Sequence, residues 1–144
     1  MKKKIAVLAL SFTLLIALTG MANAQPTQIV GSWKCYDNEN NENVVFLVSF
    51  NAEGVFTASP NLASVSVNHG VWKRTGLNTF DSTDFAFIYD DDGNAVQLQK
   101  TNAETTMSDN NNLTAEFDIT ITNLDGTVVD EIEAAATCER IQVE

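Results

Sequence analysis

Apolar and polar side chains alternate along most of this chain. The clearest run sets Leu113, Ala115, Phe117, Ile119 and Ile121 on one side and Thr114, Glu116, Asp118, Thr120 and Thr122 on the other. A period of two, with one apolar and one wet face, is the pattern of a half-buried β-strand. Phe85, Phe87 and Tyr89 form another such face, and so do Val65, Val67, His69 and Val71. No helical stripe of useful length follows residue 25. Three punctuating segments share one chemistry: Asn51-Ala52-Glu53-Gly54, Asp90-Asp91-Asp92-Gly93 and Asn123-Leu124-Asp125-Gly126 all read Asn/Asp-x-acid-Gly. A short polar residue opens a type I turn and the glycine takes the left-handed position of a bulged hairpin. Thr75-Gly76-Leu77-Asn78 is a fourth connection, Pro60-Asn61-Leu62 a turn, and 38–43 and 109–112 are polar loops. The runs between them predict eight strands, at 31–37, 43–50, 54–59, 65–74, 79–90, 94–107, 113–122 and 127–143. Sequential antiparallel strands with short turns make a meander. Eight can close into an up-and-down barrel, which removes the exposed edges of an open sheet.

The first 24 residues do not fit that scheme. A positive start at Lys2, Lys3 and Lys4 leads into an apolar run over 5–18 and then Ala22-Asn23-Ala24, a small-x-small cleavage site before Gln25. That is the layout of a signal peptide. The run is shorter than the ~20 residues needed to span a bilayer. Leu18-Thr19-Gly20 is followed by Met21 rather than by the cysteine of a lipoprotein. The expectation is an exported domain over 25–144, secreted or periplasmic, with no membrane insertion after cleavage. Its charge becomes 5 basic minus 19 acidic residues, −14, against −11 for the whole chain. A chain so acidic repels phosphate backbones and anionic lipid, which argues against nucleic-acid partners. The two cysteines, Cys35 and Cys138, are an even count in an exported chain and predict one disulfide.

Ile29-Val30-Gly31-Ser32-Trp33 starts the first strand and Arg140-Ile141 ends the last; between them lie His69-Gly70-Val71-Trp72, Thr75-Gly76 and Phe80. This order resembles the small bacterial lipocalin-like (calycin) barrel proteins of unassigned function. There a Gly-x-Trp opens the first strand and a late basic residue packs on that tryptophan where the barrel shuts. The resemblance implies a closure pair of Trp33 and Arg140. An antiparallel ladder gives the same result without the family. Facing residues have a constant index sum, and both Trp33 with Arg140 and Cys35 with Cys138 sum to 173. One register therefore joins the sulfurs and sets the guanidinium over the indole, a favourable cation–π contact.

An outer-membrane barrel is disfavoured, because its apolar residues face outward and the chain ends Gln142-Val143-Glu144, without a terminal aromatic. Catalytic chemistry is sparse. His69 is the single histidine, both cysteines are spent on a bridge, and no nucleophile elbow is present, so no catalytic residue is assigned. Asp90, Asp92 and Asn94 have the first spacings of a calcium loop, but Gly93 falls one place early and the distal glutamate is missing, so a turn is expected and no metal or other cofactor.

An eight-stranded barrel is just wide enough to fill itself or to hold one small molecule. Phe46, Phe85, His69, Ala134 and Ala136 are the cavity candidates. The expected function is binding of a small, largely apolar molecule. One alternative is a partner-binding module such as a protease inhibitor acting through residues 25–28. Another is a cyclase- or isomerase-type barrel enzyme using His69 or Asp130 as its polar handle.

Overall fold

The computed structural model describes residues 28–37 and 43–144. The expected leader over 1–24, residues 25–27 and most of the first polar loop lie outside them. Eight strands follow one another: β1 Gly31–Asp37, β2 Val44–Phe50, β3 Val55–Pro60, β4 Asn68–Arg74, β5 Thr79–Tyr89, β6 Ala95–Met107, β7 Asn112–Asn123 and β8 Val128–Arg140. Each pairs antiparallel with the next, and β8 returns to β1, so the sheet is a closed up-and-down barrel. The β1–β8 ladder has the register read from the sequence, with Trp33 opposite Arg140 and Cys35 opposite Cys138. The Cys35–Cys138 disulfide is formed. Among the described residues no helix is long and apolar enough to cross a membrane.

The tight connections follow the chemistry of their residues. Gly54, Gly93 and Gly126 have φ of 83°, 81° and 90°, which a side chain would strain. In each turn the leading or third polar side chain accepts backbone N–H groups. Asn51 Oδ1 takes those of Glu53 and Val55, Asp90 Oδ1 those of Asp92 and Asn94, and Asp125 Oδ1 that of Thr127. The Asp90 carboxylate is thus engaged by its own hairpin. These bonds hold the Asp90 and Asp125 carboxyls below the usual carboxylate range.

One end of the barrel is plugged. Ile29, Trp33, Phe80 and Met107 are almost fully buried there. The Trp33 indole N–H donates to the Ile29 carbonyl at 2.9 Å. Arg140 lies over the Trp33 ring, its guanidinium carbon 4.1 Å from the ring centroid. Its three nitrogens donate to the carbonyls of Asn110 (2.5 Å), Val30 (2.8 Å) and Gln28 (2.5 Å). An aromatic layer continues the plug inward. Phe50 stacks on Phe56 and meets Trp72 edge-on, and Trp72 meets Phe80 edge-on. Trp72 therefore faces the interior, with its N–H on the Asn51 carbonyl. Gly70 has no side chain because none fits: a Cβ would run into the Phe56 ring and the Asp84 Cβ.

Candidate functional site

Strand parity decides what faces the interior. On β5 the inward residues are Phe80, Ser82, Asp84 and Ala86, which leaves Phe85 and Phe87 on the outer surface, 45% and 46% exposed. On β4 Asn68 and Trp72 point inward, and His69, paired with Phe85, points outward. The expectation that His69 and Phe85 line the cavity is therefore corrected. The two faces of β5 are nearly equal in apolar content, so burial is settled by the ladder to neighbouring strands and not by local alternation. Of the other candidates, Phe46 on β2 and Ala134 and Ala136 on β8 do border the interior space. Phe46 reaches across it to meet Phe117 of β7 edge-on at 5.8 Å. Asp130, named with His69 as a possible polar handle, is exposed on β8, where its Oδ1 accepts the Glu131 N–H.

Above the plug the barrel interior holds a half-open cavity of about 360 Å³. Its apolar wall is built from Phe46, Val48, Phe50, Phe56, Leu113 and Phe117. The opposite wall, on β4, β5 and β6, carries a polar patch that sequence reading missed. Asp84 is 5% exposed and Asn68 7%. Asn68 Nδ2 donates to Asp84 Oδ1 at 2.5 Å. Thr101 stands directly opposite Asp84 in the ladder and also bonds its carboxyl. Gln99 extends the patch by donating to the Thr101 hydroxyl at 3.1 Å.

Burial pushes the Asp84 carboxyl above the usual range, against the lowering effect of its bonds to Asn68 and Thr101. The signal for this patch is present in the sequence, since Asp84 lies four residues after Phe80 on the same face. It becomes readable only once the register with β4 and β6 is known.

Chemically, the cavity offers apolar surface over most of its wall and one fixed set of hydrogen-bonding groups. Burial makes its carboxyl costlier to ionise, while Asn68 and Thr101 bond to it. The arrangement sorts a ligand by shape and by one polar end. It brings no histidine or free thiol to the carboxyl. Fold and cavity together define a closed, eight-stranded antiparallel barrel of calycin-like shape. Compared with protein-family models, curated proteins and solved structures, the chain matches none.

Proposed function

We propose that this is an exported, lipocalin-like binding protein that holds one small, largely apolar molecule inside its barrel. The molecule's donor-bearing polar end meets Asp84. The observation that carries this reading is the cavity of about 360 Å³ with aromatic walls and a buried polar patch around Asp84. That volume lies within the range of small-molecule sites, and a few convergent polar groups in an apolar pocket are how such sites fix orientation. The Asp84 carboxyl is bonded to Asn68 and Thr101, and a carboxylate has acceptor sites to spare for a ligand hydroxyl or amine as well. The disulfide supports export, since such bridges persist in oxidising compartments.

The test is titration with a neutral, environment-sensitive apolar dye, followed by displacement with long-chain alcohols, amines and fatty acids. Saturable binding is expected, with alcohols and amines displacing better than acids. Ala103→Phe and Ala134→Phe, which place rings in the cavity, should each weaken dye binding at least tenfold with the far-ultraviolet circular dichroism unchanged. Unchanged binding in both filled variants would overturn the proposal.

A further inference from the structure

Among the described residues the barrel wall is not paired along its whole height. The outer edge of β8 meets β1 only from Ala136 to Arg140. Residues 128 and 130–135 pair with β7 on one side, and no described residue pairs with the other side of 128–135. All eight are exposed, including the inward-parity Ile132 and Ala134. Two bonds fix which backbone groups point where. The Arg140 N–H reaches the Asn111 carbonyl on the β7 side, and the Ile141 N–H reaches the Ser32 carbonyl on the β1 side. Alternation along the strand then aims the N–H and C=O of Glu131, Glu133 and Ala135 at the free edge. A row of unpaired backbone groups is a template for another strand.

The side chains beside that edge say which strand. On the outer face Glu131 and Glu133 flank it, and Asp118 of β7 stands directly opposite Glu133. Glu116 in turn faces Glu104 of β6. Glu104, Glu116, Asp118 and Glu133 border an open depression of about 1140 Å³ on the outer sheet, which Lys73 also lines and which ends at Ala135. Like charges placed opposite each other destabilise a ladder, so the molecule carries an electrostatic cost here that a cationic neighbour would relieve. Among the described residues no three acidic groups converge closely enough to hold a metal ion. On the inner face the same edge presents Ile132 and Ala134, which are apolar.

We propose that the free edge of β8, residues 128–135, receives an extended basic peptide strand from a protein partner, with Lys or Arg at alternate positions facing Glu131 and Glu133 and apolar residues between them facing Ile132 and Ala134. Backbone bonds supply affinity and the alternation supplies specificity, as in other strand additions. The charges exclude the simpler occupants. A second copy would set Asp130, Glu131 and Glu133 against themselves. The chain's own residues 38–42, Asn-Glu-Asn-Asn-Glu, bring acid and no base. The added strand would run in line with β1 beyond Asp37 and complete the wall. The inference does not rest on the cavity's holding a ligand, although Ala134 borders both the edge and the cavity.

The experiment uses a fluorescently labelled peptide alternating Lys with Val and Thr, its binding read by anisotropy. A control peptide of equal charge has proline at every third position. The alternating peptide should bind at least tenfold tighter than the control. Glu133→Pro removes an N–H that faces solvent, which edge strands tolerate, and should abolish the preference. Joint Glu131→Gln and Glu133→Gln replacement should weaken binding about tenfold. In the unaltered protein, hydrogen exchange at the amides of 131, 133 and 135 should slow when peptide is added, a readout that does not depend on the proline variant folding. Equal binding of the two peptides, or no slowing at those amides, would overturn the proposal. So would a dimer in sedimentation that Glu133→Pro dissolves, since a second copy would then own the edge.

Discussion

A carboxyl group facing the inside of a barrel must either lose its charge or find donors, and Asp84 does some of both. Its bonds to Asn68 and Thr101 lower its pKa, desolvation raises it, and desolvation is the larger effect. The folded state therefore holds the Asp84 proton more tightly than the unfolded chain does. Between the ordinary value of 3.8 and the raised folded value, stability falls as pH rises. The contribution is fully present below 3.8 and gone above the folded pKa. Asp90, Asp109 and Asp125 have the opposite sign, because turn hydrogen bonds lower their pKa and their contribution is lost toward acid. They are common to wild type and variant and cancel in a difference. For Asp84→Asn, which keeps an acceptor for Asn68, the wild-type minus variant stability should decline steadily as pH is raised through that window, as measured by urea unfolding at pH 3 to 8. Parallel curves would show that the carboxyl is not desolvated. Asp84 escaped the sequence reading for a specific reason. Phe85, Phe87 and Tyr89 make the outer face of β5 look like a core, while Phe80, Ala86 and Ile88 make the inner face look the same.

At the scale of elements, the strands and turns were legible because their causes are local. The Asn/Asp-x-acid-Gly segments dictate a left-handed glycine, and the runs between them alternate. Strand β8 ends at Arg140 rather than at 143, and β4 departs at its start. Strand β4 begins at Asn68 rather than at residue 65, and Val65 makes only an isolated bridge to Ile88. Nothing in the Val65 and Val67 alternation distinguishes a ladder from an approach to one. The β1–β8 closure was readable from a constant index sum, and it yields a prediction about the plug. Arg140→Ala strips the partner from three backbone carbonyls and uncovers the Trp33 ring. A charged hydrogen bond and a cation–π contact together imply a loss of about 2–4 kcal/mol. Arg140→Lys should fall between the two, because one ammonium cannot span three carbonyls as a planar fork does. Reducing the disulfide frees a loop of 103 residues in the unfolded state, for an expected loss of up to about 4–5 kcal/mol in the chain-entropy model. Denaturant melts with and without reductant measure that term, and an additive loss in reduced Arg140→Ala would show that the two closures act independently.

Across the whole molecule, architecture and interior were not equally legible. Closure into a barrel follows from strand count and end-to-end register, both of which a sequence carries. The free space inside depends on how Phe46, Phe50, Phe56 and Phe117 settle against each other, which a one-dimensional pattern does not encode. The outer charge lies between these cases. The net charge of −11 was visible from the start, but its concentration into facing pairs, Glu104 with Glu116 and Asp118 with Glu133, required the ladder. Lys73 lies 3.7 Å from Asp81, and both side chains are exposed. Repulsion between exposed charges is screened over a Debye length, roughly 30 Å at 0.01 M salt and 10 Å at 0.1 M. The melting temperature should therefore rise between 10 and 500 mM sodium chloride. Asp118→Asn and Glu104→Gln, each removing one facing pair, should raise it by about 1–5 °C at low salt and flatten the salt response. If both variants instead melt at or below the wild type at 10 mM salt, the facing acids are not in repulsion, and the electrostatic reason for a basic strand beside β8 disappears with it.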